Sequence, residues 1–423
     1  MHDATRSPLL RDLEWRGLLA DVTSLPGLDA HLSGGRRFVY CGFDPTADSL
    51  HIGSLLPLLA LRRVQLGGHR PIVLIGGGTG LIGDPSGKTG ERPLNPADQV
   101  AEWAERLRRQ VGPFFDFDGP GGAVLANNYQ WLSKLEVIPF LRDIGKHFSV
   151  SSMVARESVR ARMGAGISYT EFSYQVLQAF DFLSLFRAYG CAVQIGGTDQ
   201  WGNITAGTDL IRRLEGQAAF GLTLPLVTKA DGSKFGKTES GTVWLDARRT
   251  SPYEMYQFWL NTGDADVVPF LKYFTFLERE AIDALGGAVR SHPERREAQR
   301  VLAREVTRLV HGDAGLAEAE RVTAGFFKTP DVPGKAADTG PPEEGALPGH
   351  VLTVAEPRFL WSIMKDVGIT PSASEARRLI AQGGVAVDRQ RVSDVDFRLS
   401  PGKGYLIQIG KRRVWRVVLN TPG

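Results

Sequence analysis

Two short segments of this chain combine polar side chains with glycine in a way that suits phosphate binding. In the first, residues 40–55, His51, Gly53 and Ser54 stand where an apolar strand gives way to an apolar helix. The start of a helix carries unpaired N–H groups and the positive end of the helix dipole, so it favours a phosphate. Gly53 would also let a ribose or base approach the backbone closely. Taken alone, a histidine at such a position is more often a cap or a surface residue.

The second segment is a loop rich in glycine and serine that carries Lys234 and Lys237, three residues apart. Two such lysines can converge on one triphosphate if the loop is mobile. The alternative is a solvated hairpin tip.

Residues 76–89 are glycine-rich and suggest two other nucleotide sites. The three-glycine pattern of dinucleotide-binding folds is present, but no acidic residue ends a strand about 20 positions later. The last three residues resemble the end of a phosphate loop, but Ile82 stands where that loop requires its first glycine. Neither reading is favoured.

The elements that must position these segments alternate between short apolar runs and amphipathic stretches. The apolar runs predict buried strands and the longer stretches predict helices. The predicted strands are 37–43, 71–76, 123–126 and 191–195, and the predicted helices are 54–66, 96–111, 170–189 and 200–214. This alternation predicts an α/β fold with a parallel, doubly wound sheet, which binds ligands beyond the carboxyl ends of its strands.

Composition divides the chain into an α/β domain (1–245), a helical domain (246–328), a linker (329–350) and a small α+β domain (351–423). The linker is predicted from its dense proline, glycine and charge. Residues 353–423 hold 12 Lys+Arg against 6 Asp+Glu, a balance of +6, so the rest of the chain carries −3 of the total +3. This local excess suits either a polyanionic partner or a solvated surface.

Several protein classes are excluded by composition. With 423 residues and 42% hydrophobic residues, the chain is neither collagenous nor disordered. Its longest apolar runs are far shorter than the roughly 18–20 residues of a membrane helix, and no secretory signal is recognisable. Cys41 and Cys191 cannot form a disulfide framework or a four-thiolate zinc site. We therefore expect a cytoplasmic protein without a membrane association or a protein-bound metal.

Taken together, the two phosphate-binding segments resemble the two signatures of class I aminoacyl-tRNA synthetases. Residues 51–54 are similar to the H-I-G-H tetrad and residues 234–238 to the K-M-S-K-S loop. A closer resemblance, to the bacterial tyrosyl-tRNA synthetase family, extends over nearly the whole chain. Its strongest blocks are residues 40–55, 80–87, 174–181 and 194–203.

The resemblance implies a class I synthetase with a Rossmann-like parallel sheet, a helical domain on the anticodon side and a small RNA-binding domain. It implies that ATP, accompanied by Mg²⁺, and L-tyrosine form an enzyme-bound tyrosyl adenylate with release of pyrophosphate. The tyrosyl group then passes to the tyrosine tRNA, and AMP is released. No covalent enzyme intermediate is needed.

The resemblance also assigns roles to individual residues. The catalytic set is Thr46, His51, Ser54, Lys234 and Lys237. ATP would be bound by Gly53, Asp199 and the same two lysines. Tyrosine would be bound by Tyr40, Asp44, Asp84, Tyr174, Gln178, Asp181 and Gln200. The sequence departs from the family at Ser54, where the tetrad has a second histidine; a hydroxyl can still donate a hydrogen bond but is shorter and cannot be cationic.

The proposed tyrosine pocket is physically coherent. Tyr174, Gln178 and Asp181 have the spacing i, i+4 and i+7, so one face of a single helix could present all three. The alternative is the polar surface of an ordinary amphipathic helix. A buried Asp181 carboxylate and the Tyr40 hydroxyl would both lose a hydrogen-bond partner if phenylalanine bound.

Two further segments resemble parts of the family that bind macromolecules. The insertion at about residues 130–166 is similar to the segment that pairs subunits, which implies a homodimer. Its apolar residues are Phe140, Leu141, Phe148, Met153 and Met163. The C-terminal domain resembles a small RNA-binding domain shared with a ribosomal protein and pseudouridine synthases. Its candidate tRNA contacts are Arg377, Arg378, Lys403, Lys411, Arg412 and Arg413.

Three alternatives stay open from the sequence. The tryptophan enzyme of the same class has similar signatures, although Tyr40 with Asp181 favours a phenol. A catalytically inactive RNA-binding protein could retain the fold, with Ser54 as the first sign of decay. A small nucleotidylyltransferase shares a similar tetrad but leaves the basic C-terminal domain and the lysine loop unexplained.

Overall fold

The computed structural model describes most of the chain and divides it into two compact units. The described residues are 7–86, 90, 94–155, 159–160, 166–230, 232, 235–238, 241–326, 349–388, 390–410 and 413–422. The first unit comprises Met1–Phe235 and Lys272–Phe276, and the second comprises Gly236–Leu271 and Leu277–Gly423.

The first unit is a parallel sheet covered by helices. Its strands are β1 (Phe38–Phe43), β2 (Arg70–Ile75), β3 (Val124–Asn127), β4 (Val193–Gly197) and β5 (Phe220–Leu224). Its helices are α1 (Pro8–Arg16), α2 (Leu25–Ser33), α3 (Leu55–Leu66), α4 (Ala97–Val111), α5 (Tyr129–Leu132), α6 (Val137–Pro139), α7 (Val150–Val154), α8 (Tyr169–Tyr189) and α9 (Trp201–Glu215). The predicted α/β fold is confirmed, and β5 is a strand that the sequence did not predict.

The strand order is β3-β2-β1-β4-β5, and every neighbouring pair is parallel. The order reverses between β1 and β4, so their carboxyl ends flank the crevice in which doubly wound sheets bind ligands. Beside this crevice runs α8, which Ser168 caps by accepting a hydrogen bond from the Glu171 N–H and which Gly190 ends at φ 66°. The sheet, α8 and α9 share one apolar core that includes Tyr40 and Phe182.

The segment Lys272–Phe276 belongs to the first unit because two buried arginines bind its backbone. Arg16 Nη1 donates to the Lys272 and Thr275 carbonyl oxygens at 3.2 Å each, and Arg63 Nη2 donates to the Thr275 carbonyl at 2.5 Å. Burial and, to a lesser extent, the nearby Arg16 lower the pKa of Arg63 to about 9, while Asp12 opposes the shift. The composition predicted a single boundary at residue 246, so it gave no sign that Lys272–Phe276 belongs with the first unit.

The second unit begins with a two-stranded hairpin and continues with a helical region. The strands of the hairpin are β6 (Lys237–Thr238) and β7 (Gly241–Thr242). The helices are α10 (Pro252–Leu260), α11 (Asp264–Phe274, whose last turn belongs to the first unit), α12 (Arg279–Ser291) and α13 (Glu297–Phe326). Ser251 and Glu254 form a capping box at the start of α10, and α13 is interrupted at Gly312, where φ is 71°.

The C-terminal part of the second unit is a small mixed domain with its own apolar core. Its elements are β8 (Gly349–Thr353), β9 (Arg358–Phe359), α14 (Leu360–Asp366), α15 (Ala373–Ala381), β10 (Val385–Val387), β11 (Gln390–Val392), β12 (Arg398–Leu399), β13 (Lys403–Ile409) and β14 (Arg413–Asn420). Five strands form one sheet in the order β11-β10-β13-β14-β8, and β9 pairs with β12.

The strand β8 begins two residues before the end of the predicted linker. The linker was expected to end at residue 350, but Gly349 and His350 belong to β8, where Gly349 pairs in parallel with Arg416. A pairing between residues so far apart in the sequence leaves no local signal. The rest of that linker, residues 329–348, lies outside the described residues, and the four-domain division stays a prediction.

Within the described ranges, no helix combines the length and the apolar character that crossing a bilayer requires.

Candidate active site

A cavity of about 430 Å³ opens at the carboxyl ends of β1 and β4, at the reversal of strand order. Its lining includes twelve residues that the sequence analysis singled out: Tyr40, Asp44, Thr46, His51, Gly53, Ser54, Asp84, Tyr174, Gln178, Asp181, Asp199 and Gln200. They come from β1, the start of α3, the loop after β2, α8 and the turn after β4. Their proximity is a finding of the structure, whereas their individual roles stay predictions.

The two lysines of the predicted phosphate loop are not placed by the structure. Lys234 lies outside the described residues, and Lys237 is described only as backbone in β6. Their neighbour Phe235 is described and lines the cavity. Its ring stacks on Phe274 with a centroid distance of 5.3 Å and an interplanar angle of 14°. The second residue of the loop is therefore held at the cavity by an aromatic contact within the first unit.

The closed end of the cavity is organised around the Asp181 carboxylate, which is 1% exposed. Trp131 Nε1 donates to Asp181 Oδ1 at 2.7 Å, and Asn128 Nδ2 donates to Asp181 Oδ2 at 2.8 Å. The Asn128 amide is itself oriented, because its Oδ1 accepts from the Gly78 N–H at 2.7 Å and its Nδ2 also donates to Thr79 Oγ1 at 2.9 Å. Asp181 is thus held in one orientation by two fixed donors.

Burial dominates the acid–base behaviour of this end. It raises the pKa of Asp181 to about 8, against the lowering effect of the hydrogen bonds from Asn128 and Trp131. Burial, assisted by the Asp181 charge, also raises the pKa of the Tyr40 hydroxyl well above its usual value. Among the described residues, the buried Tyr40 hydroxyl has no hydrogen-bond partner. A buried hydroxyl in that condition is costly unless a ligand pairs with it.

Asn128, Trp131 and Thr79 are site residues that the sequence analysis missed. Asn128 follows β3 directly, so it stands at the carboxyl end of a strand of the parallel sheet, and this position was the available signal. Trp131 and Thr79 carried no such signal, because an indole in a short helix and a threonine among glycines occur in many settings. Only the tertiary structure brings them to Asp181.

A second hydrogen-bond network lines the side of the cavity. Tyr174 donates its hydroxyl hydrogen to Asp44 Oδ2 at 2.7 Å, and Thr79 Oγ1 donates to Asp44 Oδ1 at 2.7 Å. Burial and the Asp44 charge raise the pKa of Tyr174, so the hydroxyl remains protonated. Since its one hydrogen is used, the Tyr174 oxygen can only accept a further hydrogen bond from a ligand.

Other polar residues of the cavity, centred on Gln200, are also linked by hydrogen bonds. Gln200 Nε2 donates to Asp84 Oδ2 at 2.6 Å and to Asp199 Oδ2 at 3.1 Å. Asn203 Nδ2 donates to Gln178 Oε1 at 3.0 Å and to Gln200 Oε1 at 3.2 Å. Both amide hydrogens of Gln200 are therefore engaged with carboxylates. For the predicted contact to a substrate carboxylate, Gln200 would have to exchange one of these bonds.

At the open end of the cavity, His51 caps the first turn before α3. Its Nδ1 accepts a hydrogen bond from the Gly53 N–H at 3.0 Å. In the neutral ring this acceptor role places the proton on Nε2, which can then donate to a ligand. A Cβ on Gly53 would lie 2.8 Å from His51 Cε1, so glycine is required for this cap. The cap reading and the ligand reading of His51 are therefore compatible.

The glycines after β2 serve close packing. A Cβ on Gly76 would lie 1.9 Å from Asp44 Oδ1, so only glycine allows that carboxylate to sit against the backbone.

Among the described residues, no group of three or more His, Cys, Asp or Glu side chains could hold a metal ion. The expectation that the protein holds no metal of its own stays a prediction.

Comparison with known proteins identifies the family of the chain. A family model described as "tRNA synthetases class I (W and Y)" matches residues 33–328, and a model of the S4 domain matches residues 362–403. The chain is 51% identical to a tyrosine–tRNA ligase of Bacillus caldotenax, over 97% of this chain and 99% of that protein. It is 50% identical to a tyrosine–tRNA ligase of Chromobacterium violaceum, over 94% of this chain and 95% of that one.

A solved structure shows the same architecture. The crystal structure of a C-terminally truncated Aspergillus nidulans mitochondrial tyrosyl-tRNA synthetase matches with a TM-score of 0.70 and 30% identity, over 77% of this chain and 95% of that one. The fold, the cavity and these matches define a class I aminoacyl-tRNA synthetase. The chain belongs to the tyrosine–tRNA ligase family. The resemblance read from the sequence is confirmed.

Proposed function

We propose that this enzyme attaches L-tyrosine to its cognate tRNA in two steps at the described cavity. ATP and tyrosine would first form tyrosyl adenylate with release of pyrophosphate. The terminal adenosine of the tRNA would then take the tyrosyl group and release AMP. The observation that carries the proposal is the buried pair at the closed end, an oriented Asp181 carboxylate and a Tyr40 hydroxyl without a partner among the described residues.

This pair suits a phenol better than the side chains of related amino acids. A phenol hydroxyl donates one hydrogen bond and also accepts, so it can serve Asp181 and Tyr40 together. The indole of tryptophan only donates, so the Tyr40 hydroxyl would stay unpaired. Phenylalanine would leave the Tyr40 hydroxyl unpaired and would give Asp181 no partner beyond Asn128 and Trp131. A buried neutral group without its hydrogen bond costs about 1–3 kcal/mol.

The side of the cavity suits the ammonium group of the amino acid. The Tyr174 oxygen can only accept, and Asp44, Asp84 and Gln178 present oxygen atoms that already accept hydrogen bonds from protein donors. A site of oriented acceptors with negative charge favours a cationic donor. Tyrosine would therefore lie with its phenol at the closed end and its ammonium beside α8.

At the open end, ATP would meet the start of α3. The attacking atom is an oxygen of the substrate carboxylate, and the bond from the α-phosphorus to the pyrophosphate oxygen breaks. The protein's part is to position the reactants and to stabilise charge. His51 Nε2, the Thr46 hydroxyl, Lys234 and Lys237 would donate to the phosphates. The Ser54 hydroxyl would donate to the ribose or adenine side of ATP, and Mg²⁺ would arrive with ATP as part of that substrate.

The ribose of ATP would pass Gly53 and Asp199. Gly53 has no side chain to block it, and the Asp199 carboxylate is exposed at the cavity. A carboxylate accepting from ribose hydroxyls is a common arrangement in nucleotide sites. The contacts of Asp199 and of both lysines rest on the sequence pattern.

We also propose that the enzyme works as a homodimer in the cytoplasm. Several apolar side chains of the 130–166 insertion are strongly exposed: Val137 (68%), Ile138 (72%), Leu141 (47%) and Val150 (65%). Such a patch favours association with a second copy. Of the residues named from the sequence, Leu141 belongs to this exposed set. Met153 is buried in the core, Phe140 and Phe148 pack partly against it, and Met163 lies outside the described residues.

Tyrosine-dependent exchange of labelled pyrophosphate into ATP tests the first step. We expect exchange with tyrosine and, at equal concentrations, far slower exchange with phenylalanine or tryptophan. Faster exchange with tryptophan would move the chain to the tryptophan specificity. No exchange with any amino acid would favour an inactive RNA-binding protein.

Removal of residues 351–423 tests the proposed tRNA role of the C-terminal domain. The lining of the cavity belongs to the first unit, so this removal takes away none of its residues. We expect pyrophosphate exchange to persist and tRNA charging to be abolished. Unchanged charging would exclude the domain from tRNA binding.

A further inference from the structure

Four side chains of the C-terminal domain form a continuous stack. The rings of Phe359 and Trp361 are stacked, with centroids 5.5 Å apart and an interplanar angle of 18°. The Arg398 guanidinium lies 3.9 Å from the Phe359 centroid, and the Arg377 guanidinium lies 3.9 Å from the Trp361 centroid. Both arginines are exposed, and both rings are partly buried.

The stack is built by three separate parts of the fold. Arg398 of β12 stands directly opposite Phe359 of β9 in their antiparallel pairing, and facing residues in such a pair are close neighbours. Trp361 lies in the first turn of α14, which packs against α15, the helix that carries Arg377. No short sequence motif could reveal this arrangement, because its members span residues 359–398.

We propose that this stack is a binding site for the sugar–phosphate backbone of tRNA, with Arg377 and Arg398 as two preorganised phosphate contacts. The inference rests on the proposed function and extends it to residues outside the basic set read from the sequence, namely Arg398 and the two rings. The rings act as positioning residues for the guanidinium groups.

The geometry favours phosphates over bases as the ligand. Each ring has one face against the other ring and a guanidinium over it, so the aromatic surface is already occupied. The N–H groups of a guanidinium lie in its plane, so an arginine stacked by its face keeps its edge available for two parallel hydrogen bonds to phosphate. Stacking also restricts the long arginine side chains before RNA binds, which lowers the entropy cost of the contact.

The same domain offers a matched control. Arg358 is the strand neighbour of Phe359, but its Nη2 is bound to Asp366 Oδ2 and to Ser362 Oγ, both at 2.5 Å. Its charge is therefore neutralised within the protein. The exchange Arg358→Gln removes one positive charge from the same surface without touching the stack.

The test is the affinity of the full-length enzyme for its tyrosine tRNA, measured by filter binding at several salt concentrations. For Arg398→Gln and for Arg377→Gln we expect affinity to fall about tenfold at low salt, as for the loss of one charged hydrogen-bond contact. The slope of log affinity against log salt should become shallower by about one for each variant. Arg358→Gln should stay within about twofold of the unchanged enzyme.

Arg398→Lys separates preorganisation from charge. Lysine keeps the positive charge but loses the planar stack, so we expect most of the Arg398→Gln loss to remain. A thermal melt of each variant checks the fold of the domain. Phe359→Leu keeps an apolar side chain at this position. As a single substitution it should weaken tRNA binding, but the double variant Phe359→Leu/Arg398→Gln should bind tRNA almost as well as Arg398→Gln alone.

Several outcomes would overturn the inference. Unchanged affinity and salt slope in both glutamine variants would remove the site. An equal loss in Arg358→Gln would reduce the effect to general charge, and full affinity in Arg398→Lys would remove the role of the rings. Pyrophosphate exchange should be unchanged in every variant. Exchange that is absent from the unaltered enzyme would count against the proposed function, whereas normal exchange with unaffected tRNA binding would count against this inference alone.

Discussion

The two ends of the cavity are built on different principles. At the closed end, Asp181 is buried and held by donors from two residues, Asn128 and Trp131, that lie about 50 positions earlier in the chain. At the open end, His51 is exposed and its contact is with Gly53, two positions away. The closed end is rigid because several parts of the fold converge there, whereas the open end takes its geometry from the local chain.

This difference matches the two substrates. The enzyme must distinguish its amino acid from close analogues. This discrimination requires buried polar groups, because binding an analogue that leaves such a group without a hydrogen bond costs free energy. The triphosphate needs charge stabilisation at a place that ATP can enter and pyrophosphate can leave. We therefore expect substitutions at the closed end to affect tyrosine use most, and substitutions at the open end to affect the chemical step.

Replacement of Asp181 by asparagine should have the largest effect. The amide keeps the size of the side chain but replaces one acceptor oxygen with an N–H group, which faces the Asn128 or the Trp131 donor. We expect kcat/KM for tyrosine in pyrophosphate exchange to fall about 100-fold, because a buried donor without a partner costs about 1–3 kcal/mol and the substrate phenol also loses an acceptor. Asp209→Asn, at an exposed position of α9, is the control. Equal activity of the two variants would refute the pocket assignment.

Replacement of His51 by alanine should have a smaller effect of a different kind. The lost Nε2 donor would act on the phosphates, so we expect kcat to fall about tenfold while KM for tyrosine changes little. The exposed position makes water a partial substitute. His292→Ala, at an exposed site of the second unit, is the control. A rise in KM for tyrosine without a change in kcat would contradict the division between the two ends.

Replacement of Asn128 by alanine tests whether the orientation of the Asp181 side chain matters. Asp181 keeps its carboxyl group and its hydrogen bond from Trp131 but loses the hydrogen bond from Asn128. We expect kcat/KM for tyrosine to fall about fivefold, close to the net value of one hydrogen bond. Asn127→Ala is a matched control, since Asn127 is the preceding residue and does not line the cavity. If both variants behave alike, the hydrogen bond does not position Asp181.

The raised pKa of Asp181 predicts a pH dependence of stability in the ligand-free enzyme. The pKa is about 8 in the folded chain and 3.8 in the unfolded chain. Between these values the unfolded chain releases a proton that the folded chain keeps, so stability falls as pH rises and stops falling above about pH 8.

Asp181→Asn cannot ionise, so its melting temperature relative to the unaltered enzyme should rise by about 2–4 °C for each pH unit across this window. Asp209→Asn should show no such trend. A difference that is constant from pH 5 to pH 8 would show that burial does not raise the pKa of Asp181.

Much of the fold could be predicted because its signals are local. The short, mostly buried runs of β1, β2 and β4 indicate strands, and the longer stretches of α4 and α9 have the apolar period of amphipathic helices. The strand β5 was missed because Phe220–Leu224 is short and contains a glycine, and its pairing with β4 comes only from the sheet. The parallel pairing that begins β8 was missed for the same reason.

The sequence by itself determined which residue types are available and where short motifs lie: the histidine and glycine before α3, the spacing of Tyr174, Gln178 and Asp181 along α8, and the basic C-terminal domain. These features depend on neighbours a few positions apart. The tertiary structure alone decided the partners of Asp181 and the stack of Phe359, Trp361, Arg377 and Arg398. It also decided that the Tyr40 hydroxyl is buried without a hydrogen-bond partner among the described residues. Such contacts join distant segments, and their energies depend on burial and direction, which no local pattern encodes.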